Sequence, residues 1–187
     1  MHIRLIGAGL AMALAAAPAH AERDRTFPEG HATCHARVYD AAHLAAHPQQ
    51  RVVAISFARV TRDLAAEKQF IADGEVTEDI ISATLRVRLR GDPVTHVARL
   101  ECDGTRNSAR YCETPACQGG EITVAPAQGG APGTIRIGVG GTLNNGKFVP
   151  HFLHLDDSCE SARVVVLESG DDDHAFLLPA APTEACR

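Results

Sequence analysis

Between Ile81 and Arg90 the chain alternates strictly. Ile81, Ala83, Leu85, Val87 and Leu89 fall on one side of an extended backbone, and Ser82, Thr84, Arg86, Arg88 and Arg90 fall on the other. A period of two predicts a half-buried strand, because a helix would need the apolar positions three and four apart. Gly91, Asp92 and Pro93 then supply turn chemistry, and a strand over about 94–102 completes a hairpin. Residues 51–60, 121–126, 134–139, 148–155, 163–168 and 175–178 also read as strands, separated by stretches rich in Gly, Asn or Asp at 128–133, 140–146 and 168–173. About eight strands at this spacing predict an all-β fold, a small antiparallel barrel or sandwich. The barrel is favoured because closure removes sheet edges.

Helical signals are confined to the first half. Asp40 is placed to cap a short helix running to His47, which Pro48 cannot continue, and 64–72 reads as a second short helix before Asp73 and Gly74. No fixed-period repeat and no low-complexity linker divides the chain, so 22–187 reads as one domain.

The first 21 residues follow another pattern. Arg4 precedes an apolar run from Leu5 to Ala17, and Ala19, His20 and Ala21 form an A-x-A site, so 1–21 reads as a signal peptide cleaved before Glu22. The expected location is therefore periplasmic or secreted. No later run is long enough to predict a membrane span, and a soluble, monomeric protein is expected. The formal net charge of −5 becomes one unit more negative when Arg4 leaves, which argues against a nucleic-acid partner.

Export changes the meaning of the six cysteines, Cys34, Cys102, Cys112, Cys117, Cys159 and Cys186. An even count in an oxidising compartment predicts three disulfides, and no C-x-x-C or C-x-x-C-H motif competes with that reading. Neighbouring predicted strands favour Cys102 with Cys117 and Cys159 with Cys186, leaving Cys34 for Cys112.

The run Tyr39-Asp40-Ala41-Ala42-His43-Leu44-Ala45-Ala46-His47-Pro48-Gln49-Gln50-Arg51-Val52, after Cys34 and before a strand, resembles the start of small exported bacterial proteins of unknown function. The resemblance implies export and a single domain. It transfers no catalytic residue.

Candidate chemistry is sparse. His31, His35, His43 and His47 crowd around Cys34, and His43 and His47 share one helix face at i, i+4, a spacing that can place two imidazoles on zinc or copper. The alternative is local packing or capping. Leu44 stands where an H-E-x-x-H protease needs its Glu, so that mechanism is excluded. His151 and His154, three apart on a strand, point to opposite faces. Asp171, Asp172, Asp173 and His174 lack the D-x-D-x-D-G spacing of a calcium loop and read as a solvated hairpin tip. No G-x-S-x-G elbow, Walker A loop or S-x-x-K motif occurs, and Gly138 to Leu143 lacks the third Gly of a dinucleotide loop. Phe57, Phe148, Phe152 and Phe176 read as core, and Tyr39 and Tyr111 as packing on disulfides.

The sequence thus predicts a non-catalytic envelope domain that binds or inhibits another envelope protein or a small ligand, presenting loops such as 112–120 and 144–150. The alternatives are a zinc- or copper-binding protein using the N-terminal histidines and a hydrolase with dispersed carboxylates.

Overall fold

The computed structural model describes residues 34–60, 81–106, 109–114, 120–144, 147–150, 152–155, 165–168 and 172–187. The expected signal peptide 1–21, the helix at 64–72, Cys117, Cys159, His31, His151 and Asp171 lie outside them.

The strands are β1 (Cys34–Val38), β2 (Val52–Arg59), β3 (Ile81–Leu89), β4 (Thr95–Arg106), β5 (Ala109–Glu113), β6 (Glu121–Pro126), β7 (Ile135–Val139), β8 (Gly141–Asn144), β9 (Lys147–Pro150), β10 (Phe152–His154), β11 (Val166–Glu168) and β12 (Ala175–Leu178). A helix α1 (Ala41–Ala46) joins β1 to β2, and a 3-10 helix (Thr183–Cys186) follows β12. Eight strands form one antiparallel sheet in the order β1-β2-β3-β4-β5-β6-β7-β12, and β10-β11 and β8-β9 form separate hairpins.

The sheet curls into a nearly closed barrel, as the spacing of strands predicted. β12 pairs with β7 on one side, and its continuation meets β1 at a bridge between His35 and Ala180. Two backbone bonds flank that bridge, Ala36 N–H to Pro179 O at 3.1 Å and Ala181 N–H to Cys34 O at 2.9 Å.

β3 realises its sequence pattern in full: its five apolar residues are buried and the polar ones between them are not. Ala98 and Leu100 of β4, Ile122 and Val124 of β6, Ile135, Ile137 and Val139 of β7, and Phe176 and Leu178 of β12 join them in one core. Leu153, Leu155 and Leu167 bring the β10–β11 hairpin onto the same core. That hairpin approaches β6 at a bridge between Gly120 and Leu153. Gly120 has φ 99°, and a side chain there would place its Cβ 2.7 Å from Leu153 Cα. Only glycine permits this approach.

The favoured disulfide pairings are corrected. Cys102 bonds Cys112, its direct neighbour across the β4–β5 ladder, and Cys34 bonds Cys186 across 152 positions, where the seam gathers both ends of the described chain. The error has a structural cause, since residues read as a loop after Cys102 form β5. Phe57 and Phe176 are core residues, whereas Phe152 is 46% exposed because Leu153 takes the inward position of β10. Tyr39 packs against a histidine ring instead of a disulfide.

Candidate functional site

The polar residues of one barrel end are gathered by three connections: α1 with its flanking loop, the β3–β4 turn, and the turn before β12. Asp40 starts α1 as expected, its Oδ1 accepting the His43 N–H at 2.8 Å. The helix is six residues long and fully buries none of them, with Leu44 packed partly against the core, so it depends on bonds from outside. Arg90, just past β3, supplies them by donating from Nη2 to Leu44 O at 3.2 Å and His47 O at 3.3 Å. A cation over the last carbonyls of a helix also complements their negative partial charge.

Helical spacing makes the rings pile up. The Arg37 guanidinium lies 4.7 Å from the Tyr39 ring centre, Tyr39 stacks on His43 at 4.6 Å, and His43 stacks on His47 at 4.5 Å. His43 Nε2 bonds Gln50 Oε1 at 3.0 Å, and Gln50 Nε2 donates to Val52 O. His47 Nδ1 lies 3.4 Å from Asp172 Oδ1.

Asp172 and Asp173 face the β2 entrance. Asp172 Oδ2 accepts Gln49 N–H at 3.1 Å, and Asp173 accepts Arg51 N–H at 2.8 Å and Val52 N–H at 3.4 Å. Asp173 is 4% exposed, which corrects the reading of this turn as a wholly solvated tip. Burial pushes the Asp173 carboxyl above its ordinary range, against the two amides and the Arg51 charge, which pull it down. Burial likewise raises the Tyr39 hydroxyl, with Arg37 opposing and Asp173 reinforcing.

Beside this cluster a cleft of about 430 Å³ opens between Arg51, the turn Leu89 to Pro93, and Val165 and Val166. Its walls are mixed. Leu89, Pro93 and the two valines are apolar, Arg51 and Arg90 bring positive charge, and Asp92 is fastened to the wall. Asp92 Oδ1 accepts Val94 N–H at 2.9 Å, and Oδ2 lies 3.1 Å from Nε2 of the buried His96. The Arg51 side chain has no hydrogen-bond partner among the described residues.

The structure therefore brings together two of the four histidines singled out from sequence. His43 and His47 lie face to face at an interplanar angle of 27°, whereas nitrogens sharing an ion must point in the ring planes toward one centre. His35 is buried at the β1–β12 seam. Among the described residues, no group of three or more His, Cys, Asp or Glu could hold a metal ion. Sequence reasoning did not find Arg51, Arg90 or the buried role of Asp173. Arg90 carried a signal, as the last polar position of a strand ending at a Gly-Asp-Pro turn; Arg51 carried none.

These features define a disulfide-bonded, antiparallel barrel-like protein with a mixed polar and apolar cleft at one end. No family model matches the chain, and no curated protein or solved structure matches it either. Among the described residues, no helix is long and apolar enough to cross a membrane.

Proposed function

We propose that this protein is a non-catalytic domain of the bacterial envelope, exported to the periplasm or beyond, which binds or inhibits another envelope component through the barrel-end cleft. The resemblance of 39–52 to small exported proteins and the two disulfides support the location. The cleft itself carries the binding reading: its volume lies within the ordinary range of ligand sites, and Arg51 reaches it with no hydrogen-bond partner among the described residues. The chemistry that suits it is an acidic group on an apolar stem, either a partner's carboxylate side chain or a small organic acid. Asp92 and Asp173 favour binding over proton transfer as their role, because both oxygens of each are engaged in the bonds that shape the site.

An NMR titration with hexanoate, and separately with inorganic phosphate, tests this reading. The expected result is saturable shifts at the amides of Gly91 and Val166 with millimolar hexanoate, strongly reduced in Arg51→Ala. No saturable shift in the folded wild-type protein with either anion would overturn it. Zinc or copper binding by His43 and His47 is the second reading, favoured by the approach of Asp172 to His47. It requires the stacked rings to turn, and a metal-dependent rise in Tm that disappears in the double His43→Ala, His47→Ala variant would bring it forward.

A further inference from the structure

The eight-stranded sheet is joined into a barrel at one narrow place. His35 faces Ala180, and the flanking bonds are those of Ala36 N–H to Pro179 O and Ala181 N–H to Cys34 O. Farther along β1 the closure thins out. Val38 is 72% exposed, Leu177 on β12 is 45% exposed, and the link there is the Arg37 guanidinium on Leu177 O at 3.4 Å. At the middle of this seam the His35 ring is 2% exposed, and neither Nδ1 nor Nε2 has a hydrogen-bond partner among the described residues. Its cross-strand neighbour is Phe57, itself fully buried.

A histidine is an unusual choice for such a position. An imidazole always carries at least one N–H, so an apolar side chain of similar size would pack here without leaving a polar group unmet. What the imidazole adds is the ability to become a cation in the range where envelope compartments change acidity.

We propose that the β1–β12 seam is a proton-operated closure, in which protonation of His35 parts β1 from residues 178–181 while the Cys34–Cys186 disulfide keeps the two ends together. The charged residues on the packed elements are Arg37 on β1, Arg59 on β2, Arg136 on β7, Glu184 in the 3-10 helix and Arg187 just after it; the loop 127–134 carries none. None of these sets the balance at the ring. Desolvation dominates and lowers the His35 pKa, and the backbone carbonyls of Leu178 and Gly133, which face the ring without reaching hydrogen-bond geometry, oppose it more weakly. The closed barrel thus binds fewer protons at His35 than the open one does. Closure is at full strength above the ordinary histidine range and weakens as pH falls from there to the lowered value of the closed form, by about tenfold per pH unit for a single proton. The disulfide makes the event reversible, since the 152 positions between Cys34 and Cys186 stay linked.

Amide exchange in the intact, disulfide-bonded protein from about pH 7 to about 4.5, corrected for intrinsic rates, reads the seam directly. Protection at Ala36 and Ala181 is expected to fall about tenfold per pH unit over part of that range, while amides of the β6–β7 ladder hold theirs. In His35→Phe the seam protection is expected to stay flat. The amides of Arg51 and Val52, bonded to Asp173, report the other displaced titration separately. Flat protection in the wild type, or an equal fall in His35→Phe, would overturn the proposal. Should His35→Phe fail to fold, the ring resonances of wild-type His35 decide instead. Titration together with loss of seam protection supports the closure, and titration in the ordinary histidine range with the seam intact refutes it.

Discussion

At position 173 a carboxylate enters the protein and takes two backbone N–H groups at the start of β2. Its value lies in those two donors, of which the Val52 N–H would otherwise be buried without a partner and the Arg51 N–H is partly buried. Asp173→Ala is expected to destabilise the fold by roughly 1–3 kcal/mol, chiefly through the buried Val52 amide left unpaired, measured by urea unfolding. The pH dependence runs in the less familiar direction. Because burial raises the folded-state pKa above the ordinary carboxylate value, the folded protein holds this proton more tightly than the unfolded chain. The contribution is therefore fully present below the ordinary carboxylate range and declines as pH rises toward the raised value. Asp173→Asn should flatten that part of the stability curve, as seen in unfolding midpoints across mildly acid pH. The sequence shows three aspartates in a row and cannot say which one turns inward, because that is decided by amides 122 positions earlier in the chain.

Elements were legible where their buried face is wholly apolar. β3 fits that condition, and its alternation alone revealed strand, face and hairpin. β1 and β5 do not fit. The inward positions of β5 are Arg110 and Cys112, and β1 buries His35, so neither shows an apolar period. The stretch 148–155, read as one strand, serves two hairpins: β9 pairs with β8, and β10 pairs with β11. The expected eight strands thus agree with the main sheet in number and differ in membership, with β1 and β5 entering it and β10 and β11 standing apart. Gly120 holds the β10–β11 hairpin against β6, and its need for glycine arises from a partner backbone about thirty residues later, invisible to a local reading. Gly120→Ala is expected to cost about 1–3 kcal/mol through left-handed backbone strain and collision with Phe152 and Leu153. Chemical denaturation measures the cost, and faster amide exchange in β10 and β11 should accompany it.

For the molecule as a whole, closure is a problem of chain ends. A meander from β1 to β7 leaves β1 and β7 as open edges; β12 covers β7 and then reaches β1 with its last residues. The Cys34–Cys186 bond spans 152 positions and Cys102–Cys112 spans 10. In the chain-entropy picture these restrict the unfolded chain by about 5 and about 3 kcal/mol respectively. Of these two the longer bridge does more to favour the folded chain over the unfolded one, and it lies beside the buried histidine whose protonation opposes closure. At the opposite end of β1, Arg37 and Tyr39 lead into the stacked rings of α1, and Arg90, which holds that helix, also lines the cleft. An even cysteine count pointed to pairing, but the choice of partners depends on strand order, which composition and spacing do not encode. Proteolysis of the purified, unreduced protein followed by mass spectrometry of linked peptides tests this closure most directly. One linked pair holding Cys34 with Cys186 and another holding Cys102 with Cys112 are expected; recovery of Cys186 joined to Cys159, or of Cys34 joined to Cys112, would contradict this closure.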